Sequence, residues 1–238
     1  MLKIEQTEIG HKSVLLHVNS LQLNPGSLYV LIGRNGVGKS TFLNTLIGRI
    51  PALVGDILLQ EKSIFSYSKK ELSKKVSLVR ATFTGIENLS VNEYLTLGRI
   101  PYTNVFGTTH EQDILIVNEV IHLLGLQHLS EKFTTQLSDG EKQLVAIAQA
   151  LVQQTQLVLL DEPTAFLDYE NKWNILKTIK RCTQDNQLCT IFSSHDLEMA
   201  LEIADYLLLI NPFTKEIKQV KATEITKQEL LAYCFPSL

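Results

Sequence analysis

The most constraining feature of this chain is Gly33-Arg34-Asn35-Gly36-Val37-Gly38-Lys39-Ser40, which fits the pattern GxxxxGK[ST] at every fixed position. It follows the apolar run Leu28 to Ile32 and precedes the helical run Phe42 to Ile47. A strand that ends in a glycine-rich loop and continues as a helix turns successive backbone N–H groups and a helix N-terminus toward one anion. Phosphate is the expected occupant. Lys39 is placed to neutralise β- and γ-phosphates and Ser40 to offer its hydroxyl to Mg2+. Gly33, Asn35, Gly36, Val37, Gly38 and Thr41 complete the expected nucleotide-binding set.

The rest of the chain alternates in a way that suits this unit. Short runs at Ile57 to Leu59, Val76 to Val79, Leu157 to Leu160, Cys189 to Phe192 and Tyr206 to Ile210 recur between helical patterns. Several are apolar throughout, as in strands covered on both faces of an α/β sheet. The run Leu157 to Leu160 ends in Asp161-Glu162. Parallel strands bring their C-terminal ends to one edge, so these carboxylates are expected beside the phosphate loop. Asp161 can then hold Mg2+ through its water shell, while Glu162 orients or deprotonates an attacking water. The stretch 84–152 reads as helical, with the capping box Ser90-Val91-Asn92-Glu93 and Ile114, Val117, Ile121 and Leu124 at helical spacing. Asn211-Pro212 marks a turn before a modest C-terminal strand and helix. The expected organisation is one domain, 1–238, in which an α/β core lobe (1–83 and 153–238) is interrupted by a helical lobe (84–152).

Composition narrows the partners. With 22 Lys and Arg against 25 Asp and Glu, the net charge is −3, which argues against a broad basic face for nucleic acid. Every apolar run falls far short of the ~20 residues that span a bilayer. Met1 to Gln6 lacks a secretion-type leader, and Cys182, Cys189 and Cys234 form neither a CxxC pair nor an even set. A cytoplasmic chain with free thiols is the expectation.

Three further segments carry a family resemblance. Leu137-Ser138-Asp139-Gly140-Glu141-Lys142-Gln143 precedes the carboxylate pair, Pro163-Thr164-Ala165-Phe166-Leu167-Asp168 follows it, and Ser193-Ser194-His195-Asp196 lies beyond. In this order they resemble the signature motif, D-loop and switch histidine of ATP-binding cassette (ABC) ATPases. The resemblance implies a P-loop NTPase core with an inserted helical subdomain and an N-terminal antiparallel β region, using ATP and Mg2+. It further implies that the chain acts as a homodimer, each nucleotide lying between one subunit's phosphate loop and the other's signature residues Ser138, Gly140 and Glu141. Asp168 is then expected to pair across the dimer, and His195 to contact the γ-phosphate and hold the attacking water with Glu162. Ser138 to Glu141 is also a capping box, which should open a helix toward the partner's phosphate. Leu97-Gly98-Arg99-Ile100-Pro101-Tyr102, followed by Phe106-Gly107, resembles the corresponding stretch of cassettes that energise uptake of iron-siderophore complexes, haem or vitamin B12. That implies a membrane permease and a substrate-binding protein as partners, with the chain peripheral on the inner face of the cell membrane. The competing reading is a soluble cassette ATPase of repair or translation. Small GTPases are disfavoured because Asn171-Lys172-Trp173-Asn174 lacks the aspartate of NKxD.

The chain departs from the family pattern at three places. Ala81 stands where a glutamine normally reaches Mg2+, and alanine has no polar group to offer. Water, Thr82 or Arg80 is the expected substitute. Asp139 and Glu141 replace a glycine and a glutamine of the signature, and a carboxylate facing the partner's phosphate would be repulsive. For the adenine, Ile9-Gly10-His11 offers His11 as a flat ring, although the spacing favours Ile9.

Overall fold

The computed structural model describes residues 1–103, 110–165 and 167–236. Phe106, Gly107 and Phe166 therefore lie outside the described residues. In chain order the first elements are β1 (Leu2–Gly10), β2 (Val14–Leu23), β3 (Leu28–Ile32), α1 (Lys39–Leu46), β4 (Val54–Leu59), β5 (Lys62–Ser63), α2 (Lys69–Ser73) and β6 (Val76–Val79). Helices α3 (Val91–Thr96), α4 (Glu111–Leu123) and α5 (Asp139–Val152) follow, with a 3-10 stretch at Leu97–Tyr102. The chain then forms β7 (Leu157–Leu160), α6 (Tyr169–Asp185), β8 (Cys189–Ser194), α7 (Leu197–Ile203), β9 (Tyr206–Ile210), β10 (Ile217–Lys221) and α8 (Lys227–Cys234).

The main sheet runs β10-β9-β3-β8-β7-β6, with all neighbours parallel except the β9–β10 hairpin. Strand β3 is buried at every residue, and its pleat explains why it is apolar at every position. Tyr29 and Leu31 face a core shared with α1 and the second, antiparallel sheet β2-β1-β4-β5. Leu28, Val30 and Ile32 face the opposite core, formed with α5, α6, α7 and α8. Each fully buried aliphatic side chain contributes roughly 1.5–3 kcal/mol, so strands wetted on neither face specify the sheet's centre.

The buried residues of a third apolar cluster all fall within 91–152 and include Val91, Leu95, Val117, Ile121, Leu126 and Val145, with Phe83 packed against them. Helix α5 belongs to two clusters: Ala146, Ile147 and Ala150 face the sheet side, while Val145, Ala148 and Val152 face α3 and α4. The expected inward face of α4 needs correction. Ile114 is 54% exposed, and the buried positions are Asp113, Ile116, Val117, Val120 and Ile121. The physical reason is Arg99. Its Nε donates to Asp113 Oδ1 at 2.7 Å and its Nη1 to the Val152 carbonyl at 2.8 Å, so an ion pair fills the core position. The His110 N–H and Arg99 hold the Asp113 carboxyl below the ordinary range.

Candidate functional site

Register brings the motifs to one sheet edge. Ile32 lies opposite Ser194, Phe192 opposite Leu160, and Leu160 opposite Val79 in parallel ladders. Gly33, Arg80, Asp161 and His195 thus leave the sheet at neighbouring C-terminal ends.

The phosphate loop is shaped by glycines at two positions of positive φ, Gly36 at 77° and Gly38 at 117°. At Gly38 the positive φ disfavours any residue with a side chain, and an added Cβ would press on the Leu16 side chain at 3.2 Å. Gly38 is the N-cap of α1 and supplies no side-chain cap. First-turn N–H groups of α1 are therefore left for an anion. The Val37 N–H instead donates within the loop, to the Arg34 carbonyl at 3.2 Å. Arg34 Nη2 donates to the Pro236 carbonyl at 2.5 Å, so the C-terminal segment is fastened to the loop. Lys39 is buried, and its ammonium donates to the Gly33 carbonyl at 3.0 Å and to Arg34 O and Asn35 Oδ1 at 3.4 Å. Asn35, Gly36 and Ser40 are exposed and Thr41 is half-buried.

The carboxylate pair meets this loop. Glu162 Oε1 lies 3.4 Å from Lys39 Nζ and its Oε2 lies 3.6 Å from His195 Nδ1. One carboxylate therefore sits between the loop's cation and the imidazole. Glu162 has φ 45° and precedes Pro163, a left-handed conformation that costs a non-glycine residue about 1–3 kcal/mol. Ser193, fully buried, donates its hydroxyl to Asp161 Oδ1 at 2.7 Å and accepts the Glu162 N–H at 2.9 Å. Sequence reading assigned Ser193 no role.

The signature residues form a separate group. Ser138 caps α5, accepting the Glu141 N–H at 3.3 Å, while Glu141 Oε2 accepts the Ser138 N–H at 2.8 Å. That backbone hydrogen bond, then the Ser138 hydroxyl, lowers the Glu141 carboxyl from its ordinary value. Lys142 lies 3.6 Å from the exposed Asp139 carboxylate and offsets its charge. A Cβ at Gly140 would stand 3.8 Å from Leu167 and Asn171, which places this helix start beside α6. Asp168 caps α6, accepting the Asn171 N–H at 2.8 Å.

Ala81 lines a cavity of about 290 Å3 together with Thr82, Phe83, Gln143 and the D-loop residues Pro163 and Leu167. Among the described residues, Gln143 Nε2 is buried with no hydrogen-bond partner. Arg80 is exposed and is absent from this lining. Ile9 is fully buried in the core, so it cannot stack on a base, whereas His11 is exposed.

The ABC transporter family profile matches residues 16–165, spanning the phosphate loop, the signature and the carboxylate pair. The chain belongs to the ABC transporter family. It is an ABC-type ATPase with a nucleotide-binding domain. An uncharacterised ABC transporter ATP-binding protein of Methanocaldococcus jannaschii is 34% identical over 88% of this chain and 73% of its own length. The iron(3+)-hydroxamate import ATP-binding protein of Bacillus subtilis is 31% identical over 98% of this chain and 87% of that protein. A solved transporter of metal-chelate type, in an inward-facing conformation, superposes with a TM-score of 0.85 at 27% identity, covering 98% of this chain and 88% of that one. Among the described residues no helix is long and apolar enough to cross a membrane.

Proposed function

We propose that this ABC ATPase works as a homodimer on the inner face of the cell membrane, driving import of a chelated metal through a separate permease. The cargo class is iron-siderophore, haem or cobalamin-like, delivered by a substrate-binding protein. The chain's similarity to an iron(3+)-hydroxamate import subunit and to a metal-chelate transporter supports this class, as does the segment Leu97 to Tyr102.

The placement of Glu162 between Lys39 and His195 carries the hydrolytic reading. In that reading Lys39 exchanges the loop carbonyls and Glu162 for β- and γ-phosphate oxygens of ATP, which frees the carboxylate to take a proton from water. His195 contacts the γ-phosphate and keeps that water in place. Gly33, Asn35, Gly36, Gly38 and Thr41 line the phosphates, while Val37 shapes the loop through its bond to Arg34. The exposed Ser40 hydroxyl and the Asp161 carboxylate are hard oxygen donors that suit Mg2+, Asp161 acting through water. Bound Mg2+ supplies neutralisation of the phosphate oxygens during transfer.

Ser138 and Gly140 present the start of α5 to the nucleotide held by the other copy, and Glu141 serves this role by holding the cap. Asp168 caps α6 in the single chain and pairs across the dimer in the closed one. We read 1–83 with 153–238 as the core lobe and 84–152 as the helical lobe, a division supported by the third apolar cluster. Purification from detergent tests the assignment: the chain should carry a multi-span membrane protein with it, and ATPase activity should rise in that protein's presence. A chain that stays alone and responds only to DNA or ribosomes defeats it.

A further inference from the structure

We propose that Ser193 is a positioning residue for hydrolysis, setting both carboxylates of the Asp161-Glu162 pair through one hydroxyl. The inference rests on the roles given above to Asp161 and Glu162, and it adds the group that aligns them. The geometry leaves the hydroxyl no choice of direction. An amide N–H can only donate, so Ser193 Oγ accepts from Glu162 at 2.9 Å. Its single proton then goes to Asp161 Oδ1 at 2.7 Å. Ser193 is 0% exposed, so bulk water does not compete for either bond.

Two consequences follow for the carboxylates. With Oδ1 accepting the Ser193 proton, the Asp161 carboxylate is held in one orientation, which fixes the face that it offers to a metal-bound water. Glu162, meanwhile, holds a left-handed φ of 45° directly before a proline ring. A backbone in that region persists where its surroundings pin it, and the Ser193 bond pins its N–H. The side chain can then leave Lys39 and His195 without the backbone relaxing to a commoner conformation. The parallel β7–β8 ladder sets the spacing, since Leu160 and Phe192 lie opposite each other one residue before Asp161 and Ser193.

The test uses the full-length chain with Ser193→Ala, Ser193→Thr and Asp161→Asn. In nucleotide-free protein, hydrogen exchange of the peptide containing the Glu162 amide should quicken about tenfold in Ser193→Ala, the loss of roughly one hydrogen bond. The same variant should lower kcat about tenfold and raise the Mg2+ concentration for half-maximal activity, while affinity for a fluorescent ATP analogue stays within about twofold. Ser193→Thr, which keeps the hydroxyl, should restore exchange and the Mg2+ profile. Ser193→Ala with unchanged exchange and Mg2+ profile, while Asp161→Asn shifts that profile, overturns the proposal. If Asp161→Asn is silent as well, the metal-facing reading of Asp161 falls, and this inference with it.

Discussion

The sheet edge and the segment that follows β6 receive the same core on one side yet differ in completeness. At the edge every motif charge has a partner within the chain: Lys39 among loop carbonyls and Glu162, Glu162 against His195, Asp161 on Ser193. Ala81 offers no polar side chain to the cavity of about 290 Å3 that it lines, and in the same lining the buried Gln143 amide has no acceptor among the described residues. An edge that is satisfied before nucleotide arrives binds by exchanging those partners for phosphate oxygens. A segment with a hole and an orphaned donor has less to hold it in one arrangement.

The contrast can be broken most severely at the edge. Glu162→Gln should lower ATP turnover by about two to four orders of magnitude while nucleotide binding persists, because the proposed general base is removed and the cradle is left; phosphate release with parallel binding titrations checks this. On the helical side, Arg99→Ala should destabilise by about 3–5 kcal/mol, since it strands the buried Asp113 carboxylate, as read by denaturant unfolding.

Filling the hole sharpens the comparison further. Ala81→Gln should give Gln143 an acceptor, stabilise the chain by about 1 kcal/mol, and shift both Mg2+ dependence and turnover in the presence of the permease. Unchanged melting, turnover and Mg2+ titrations would show that the hole has no such role. The smallest effect expected is at the α5 cap. Glu141 has a lowered carboxyl, so its contribution is full above the ordinary glutamate range near ~4.3 and fades as pH falls through the lower folded value. The melting difference between the parent and Glu141→Gln should therefore narrow on acidification.

Much of this arrangement could be read from the residues. Val76–Val79 and Leu157–Leu160 have the bounds that the sequence suggests, because each is largely buried and ends where charged groups begin. The capping boxes at Ser90 and Ser138 were legible because their chemistry is local. Helix α1 begins at Lys39, ahead of its apolar run, since the loop itself supplies the first turn. The phase of α4 was hidden by an aspartate at an inward position, whose reason for being there, Arg99, stands 14 residues away. Ser193 escaped for a similar reason: its partners come from another strand.

Helix α5 has 14 residues, about 21 Å of rod, and both of its flanks are buried. Close packing of that kind compresses little, so the rod has few ways to bend or to absorb a push at one end. Ser138 stands at its tip, and the Val152 carbonyl at its base is gripped by Arg99. The tip and the Arg99 contact are therefore the two ends of one stiff element, about two nanometres apart.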